Sequence, residues 1–130
     1  MARFTRAELE SFAGQTIPPL VGDDLRLLFV GINPGLWTAA TRTPFAHPGN
    51  RFYPALYRAG IIDRLPDFAS GFTDEDRAWF TGLGLGVSNI VDRATRGEAD
   101  LSREELVAGA ALLRERVAAW RPRVVAAGVL

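Results

Sequence analysis

The chain has 130 residues, zero formal net charge, 48% hydrophobic and 23% charged residues, the composition of one globular domain large enough to bury a core without staples. It has no cysteine and one histidine, His47. This excludes disulfides, thiolate zinc centres, cysteine nucleophiles, cysteine-ligated iron–sulfur clusters and multi-histidine metal sites, and leaves a Ser–His–Asp arrangement only through His47. All basic residues are arginine, so only the N-terminal amine is available for imine chemistry.

Charge is unevenly spread: residues 31–60 carry Arg42, Arg51 and Arg58 and no acid, whereas residues 61–100 are strongly acidic. An acid-free basic stretch suits an anion, although a window this short also arises by chance. No segment reaches the about 18 apolar residues of a membrane span. The N-terminus has no apolar signal core, so the expected location is the cytoplasm, away from any membrane.

Residues 6–12 read as a short helix, followed by a loop through Pro18, Pro19 and Gly22. Residues 1–24 thus precede an α/β core spanning 25–130. Residues 25–30 are an almost continuous apolar run cut off by Gly31-Ile32-Asn33-Pro34-Gly35, as expected of a buried parallel strand. Residues 36–49, rich in Thr, Ala, Pro and Gly, are expected to form a long loop. Residues 50–60 read as a helix with Phe52, Leu56 and Tyr57 on one side, Pro54 in its first turn and Gly60 as its stop. A further helix is expected over 74–83 and a second strand over 86–91. Ser102 and Glu105 have capping-box spacing, and Leu101 and Leu106 hydrophobic-staple spacing. Leu106, Ala110, Leu113, Val117 and Trp120 form the apolar stripe of the helix that follows. Residues 123–127 read as a third strand. This alternation predicts one α/β domain, a parallel sheet flanked by helices with right-handed crossovers.

In such sheets ligands bind beyond the carboxyl ends of the strands. The segment after the first strand therefore holds the candidate site, with Gly31, Asn33, Pro34, Gly35, Phe45, His47, Asn50 and Arg51 within a short stretch. Asn-Pro-Gly alone is also ordinary turn chemistry, with proline fixing φ and Gly35 taking a positive φ. Neither a G-x-G-x-x-G fingerprint nor a P-loop lysine is present.

Three segments in order change the reading: Gly31-Ile32-Asn33-Pro34-Gly35-Leu36, then residues 44–53 (Pro-Phe-Ala-His-Pro-Gly-Asn-Arg-Phe-Tyr), then residues 86–93 (Gly-Val-Ser-Asn-Ile-Val-Asp-Arg). Together they resemble the mismatch-specific uracil/thymine DNA glycosylase family of the uracil-DNA glycosylase superfamily. Single-strand-selective uracil glycosylases share the G-x-N-P-G start, but the run from His47 to Phe52 favours the mismatch-specific branch. The iron–sulfur branches need cysteines, and the classical uracil enzymes carry an acid where this chain has Asn33.

The resemblance implies a monofunctional DNA-repair glycosylase that hydrolyses the N-glycosidic bond of uracil or thymine opposite guanine. The base must leave the stack to be reached. Asn33 matches the water-positioning asparagine and Phe45 the stacking aromatic. Ile32 and Phe45 would offer backbone N–H groups to the base carbonyls. Gly31, Gly35, Thr38 and Asn89 would line the pocket, while His47, Asn50 and Arg51 would support the loop or meet the DNA backbone. No metal or cofactor is implied, and the protein is expected to be a monomer whose partner is mismatched double-stranded DNA. The family continues beyond the strand that matches residues 123–127, to an Asn-Pro-Ser-Gly-type loop that grips DNA and fills the hole left by the flipped base. Nothing comparable occurs here, so the domain is expected to be incomplete at its C-terminus, weakly active or inactive, with an exposed apolar strand near Val124 and Val125. The alternative is a non-catalytic nucleotide- or phosphate-binding α/β module that uses the same loop as an anion nest.

Overall fold

The structure is a computed structural model and describes residues 3–127. Three parallel strands form its sheet in the order β2-β1-β3: β1 is Leu27–Gly31, β2 is Leu85–Asn89 and β3 is Val124–Ala127. Leu27 pairs with Leu85 on one side and with Val124 on the other. The apolar run of residues 25–30 thus becomes the central strand, displaced toward its C-terminal end. The displacement has a local cause. The N–H groups of Arg26 and Leu27 both turn to the Gly84 carbonyl, at 2.7 and 2.9 Å, and regular pairing starts at Leu27.

Burial on both faces explains why β1 lacks a polar alternation. Leu28 and Val30, with Leu25, pack on Leu113, Val117 and Trp120 of helix α5 (Arg103–Trp120). Phe29, with Leu85 and Val87, packs on the opposite layer. That layer contains Phe52, Tyr53 and Leu56 of α3 (Phe52–Arg58) and Phe80 of α4 (Asp74–Gly82). On α3 the expected face is partly wrong: Tyr57 is 49% exposed, whereas Tyr53 is fully buried. Tyr53 is enclosed by Phe68, Phe72 and Phe80, with ring centroids 5.1, 5.3 and 6.1 Å away, contacts that come from beyond the helix. Pro54 lies in the first turn of α3, and Gly60 follows at φ +75°, both as expected.

The N-terminal helix α1 (Arg6–Glu10) starts with a Thr5/Glu8 capping box. It ends before the expected residue 12, because the chain turns so that Phe12 packs against Ile17, Ala39 and Ala94. Beyond it, Leu20 and Val87 exchange two antiparallel backbone hydrogen bonds of 2.9 Å, and Thr16 bridges to Arg93. This covers the outer edge of β2, a contact with no local signature.

The expected loop over 36–49 is a helix in its first half, α2 (Leu36–Thr41). Leu-Trp-Thr-Ala-Ala-Thr contains no helix breaker, and burial of Ala39 supplies the tertiary contact that so short a helix needs. Arg42, at φ +52°, ends it.

Helix α5 begins at Ser102 and Glu105, whose reciprocal capping bonds are both formed. Its apolar stripe departs from expectation at one position. Ala110 is exposed, and Gly109 takes the sheet-facing place beside Ile90, where a Cβ would stand 2.1 Å from the Ile90 carbonyl oxygen. Two bidentate ion pairs hold the helix to the segment leaving β2. Arg116 grips Asp92 at 2.6 and 3.2 Å and also reaches buried Ser88, while Arg93 grips Glu105 at 2.8 and 2.9 Å.

On β3, Val124 and Val125 are 56% and 42% exposed, as the apolar-strand expectation required. Residues 128–130, on which the expectation of an incomplete C-terminus turns, lie outside the described residues. No helix among the described residues is long and apolar enough to cross a membrane.

Candidate active site

Past their paired residues, β1 and β2 remain stitched together. The N–H groups of Ile90, Val91 and Thr95 donate to the carbonyls of Gly31, Ile32 and Pro34 at 3.0, 2.9 and 3.2 Å. A cavity of about 450 Å³ opens over this seam, at the carboxyl ends of the strands. Its volume suits one small planar ligand with room for water. Gly31, Ile32, Asn33, Gly35, Thr38, Phe45, His47, Asn50 and Asn89 all line it. Of the residues singled out from the sequence, only Arg51 lies elsewhere. It is exposed and borders a separate depression with Arg58.

The Asn33 amide is oriented by what surrounds it. Nδ2 donates to the Arg93 carbonyl at 2.9 Å and to Thr95 Oγ1 at 2.8 Å, and lies 3.3 Å from the Pro34 carbonyl. Both amide hydrogens are thereby spent, leaving Oδ1 as the amide atom without a partner among the described residues.

Gly31 lies under the pocket. A Cβ there would come 2.7 Å from Asn89 Oδ1 and 3.7 Å from the Phe45 ring, so the missing side chain is what lets these groups close over β1. The Asn89 amide makes no hydrogen bond among the described residues, and the same holds for the backbone N–H groups of Ile32 and Phe45. Among the described residues, the cavity therefore presents unspent donors and an unspent acceptor.

Gly35 does not adopt the positive φ expected of an Asn-Pro-Gly turn: its φ is −81°, and it serves as the N-cap of α2. Among the residues that line the cavity, the left-handed one is Phe45, at φ +54°. A bulky residue there is strained by about 1–2 kcal/mol and persists only where its surroundings hold it. The holding groups are visible. Tyr53 Oη donates to the Pro44 carbonyl at 2.6 Å, and the Phe72 N–H donates to the fully buried Thr43 Oγ1 at 2.8 Å. The Phe45 ring is backed by Phe52, with centroids 4.2 Å apart. Burial pushes the Tyr53 phenol above its ordinary pKa, so it is a protonated donor at neutral pH.

The other loop residues make local ties. Asn50 Oδ1 accepts from the Phe52 N–H at 2.9 Å and caps α3, and the Asn50 N–H donates to the His47 carbonyl. His47 Nδ1 accepts from the Gly49 N–H at 3.0 Å, so a neutral His47 carries its proton on Nε2. Its ring stands edge-on to Trp37 at 5.6 Å. Thr38 is buried in the first turn of α2.

Sequence reasoning passed over Thr95, Trp37 and Tyr53. Trp37 lines the cavity and is fixed by its Nε1–H, which donates to the Ala69 carbonyl at 2.9 Å. Thr95 reaches the site from a distant part of the chain, and Tyr53 is a core residue whose one polar atom touches the pocket loop. The only available signal was their adjacency to the motif segments, Tyr53 closing one and Thr95 lying just beyond another.

The family model described as the uracil DNA glycosylase superfamily matches residues 18–128. That span includes all three strands and every residue named above as lining the site. An apolar cavity with unspent amide groups at the ends of two parallel strands, within a match covering most of its length, means that the chain belongs to the uracil DNA glycosylase superfamily.

Proposed function

We propose that this protein is a monofunctional DNA glycosylase of the mismatch-specific type, releasing uracil, and thymine, that stands opposite guanine. The observation that carries the reading is the Asn33 amide, whose nitrogen is fully committed while its oxygen is left for a water. Oδ1 accepts a hydrogen bond from that water and aims its lone pair at the sugar C1′. The water oxygen bonds to C1′ as the C1′–N bond breaks, the base leaves as an anion with the electron pair, and the proton lost by the attacking water passes through solvent to that anion. An amide is a poor base, so the rate comes from positioning and from stabilising the departing base anion. The Ile32 and Phe45 N–H groups meet the base carbonyls, Asn89 reads the base edge with one donor and one acceptor, and the Phe45 ring stacks on the base face. The chain has no lysine to form an imine with the sugar, so the product is an intact abasic strand. The preference for a guanine partner rests on the resemblance of the run from His47 to Phe52 to the mismatch-specific branch.

The test is single-turnover excision from a U:G duplex. The protein should release uracil, if slowly, without cutting the strand, and Asn33→Ala should slow release about a further hundredfold. Wild-type rate in a folded Asn33→Ala variant, or borohydride trapping of an adduct away from the N-terminal amine, refutes the mechanism. Tight binding of free nucleotide with no base release would instead favour the binding-module alternative.

A further inference from the structure

We infer that Thr95 is the positioning residue for Asn33: its hydroxyl locks the amide in the one orientation that turns Oδ1 to the water. The inference rests on the water-positioning role proposed for Asn33.

Viewed alone, the Asn33 side chain has two orientations that differ by exchange of oxygen and nitrogen. Its surroundings distinguish them. In the observed orientation, Nδ2 meets the Arg93 carbonyl at 2.9 Å and Thr95 Oγ1 at 2.8 Å. In the exchanged orientation, Oδ1 would face the Arg93 carbonyl, two acceptors at hydrogen-bond distance with no proton between them. Thr95 would then have to donate to Oδ1, which would take its hydroxyl proton away from the Gly97 carbonyl, 2.7 Å away. A hydroxyl has one proton and two lone pairs. With the proton on Gly97, Thr95 presents only acceptor character to Asn33, and an acceptor there admits only the NH2 end.

Thr95 is itself held. It is 4% exposed, its N–H donates to the Pro34 carbonyl, and Arg93, two residues earlier, is gripped by Glu105. The cradle is therefore anchored to α5 on one side and to the Asn33 loop on the other. A serine retains the hydroxyl, whereas a valine retains the shape and removes both the acceptor for Asn33 and the donor for Gly97.

The experiment compares Thr95→Val and Thr95→Ser with wild type, in native and Asn33→Ala backgrounds. Single-turnover excision from a U:G duplex is measured over a range of enzyme concentrations, and water exchange of the Asn33 side-chain amide protons is followed by 15N NMR. Thr95→Val should lower the maximal rate about tenfold with half-saturation unchanged. This is less than the loss in Asn33→Ala, because the Arg93 carbonyl still holds one amide proton. Thr95→Ser should recover to within about threefold of wild type. In the Asn33→Ala background, Thr95→Val should change nothing further. The Asn33 amide protons should exchange slowly in wild type and Thr95→Ser and quickly in Thr95→Val. A wild-type maximal rate in Thr95→Val, or equal amide exchange in all three proteins, overturns the inference. If the wild-type protein releases no base, the glycosylase reading fails, yet the exchange measurement still decides whether Thr95 orients Asn33. If Thr95→Val does not fold, failure of Thr95→Ser to keep slow exchange overturns the inference.

Discussion

Gly109 and Gly82 are both helical glycines, and replacing each with alanine should move stability in opposite directions. Helix propensity favours alanine over glycine by about 1 kcal/mol at an interior position. At Gly82, on the exposed last turn of α4, an added Cβ meets nothing within 4 Å. Gly82→Ala should therefore gain roughly 0.5–1 kcal/mol. At Gly109 the same Cβ would lie 2.1 Å from the Ile90 carbonyl oxygen and 3.2 Å from the Ile90 side chain. To restore van der Waals contact, α5 must retreat by roughly 1 Å, opening the layer that Leu113, Val117 and Trp120 fill. The helix cannot tilt freely, because Arg116–Asp92 and Arg93–Glu105 tie it on both sides of the contact. Overpacking costs about 1–3 kcal/mol, and a clash with a backbone oxygen that cannot rotate away belongs in the upper part of that range, about 2–3 kcal/mol, which outweighs the propensity gain. The expected net loss is about 1–2 kcal/mol, a fall in Tm of roughly 3–10 °C for a domain of this size. Urea and thermal unfolding followed by far-ultraviolet circular dichroism measure both variants on one scale. If Gly109→Ala is as stable as Gly82→Ala, helix α5 does not approach Ile90 as described.

The remaining expectations concern the pocket loop and the ion pairs. Tyr53→Phe removes the only donor to the Pro44 carbonyl among the described residues. It should cost about 1–3 kcal/mol in urea unfolding, and should lower excision more than duplex affinity as Phe45 loses its support. Unchanged stability would show that the hydroxyl does not hold the loop. Hydrogen bonds from Arg93, then from the Ser102 N–H, lower the Glu105 pKa from 4.5 to about 2. A depressed carboxylate stabilises the fold above its unfolded pKa and loses that contribution as pH falls through its folded pKa. The urea midpoints of wild type and Glu105→Gln should therefore differ most at neutral pH. They should converge between pH 4.5 and about 2; a gap independent of pH would rule out the ion pair as its source.

Features set by neighbours in sequence were the most legible. The Ser102/Glu105 capping box, the strand ending at Gly31 and the turn at Gly60 depend on residues within one turn of themselves, and all appear close to where they are expected. The errors share another physical origin. Ala110 and Gly109 are equally compatible with an apolar stripe, and only the proximity of Ile90 chooses between them. Tyr53 is distinguished from Tyr57 by the rings of Phe68, Phe72 and Phe80, and α2 is stabilised by burial of Ala39 that no local window reveals. In the site, the motif residues converge on one cavity, but the strained backbone falls on Phe45 rather than on a motif glycine. Positive φ here is imposed by Tyr53 and Thr43, not permitted by residue type.

The hydrogen bonds that orient Asn33 join residues 60 and 62 positions apart. Closing so long a loop carries an entropy cost that local contacts do not offset, and domains rich in such pairings fold slowly. The nearer in sequence of the two strands that pair with β1 is β2, more than fifty residues later. During folding, the Gly31–Gly35 turn can form early, but its amide has no defined direction until the segment after β2 docks. Chemical competence is thus expected to arrive with the last cooperative step, and partly assembled forms should be catalytically silent even when most of their helices are in place.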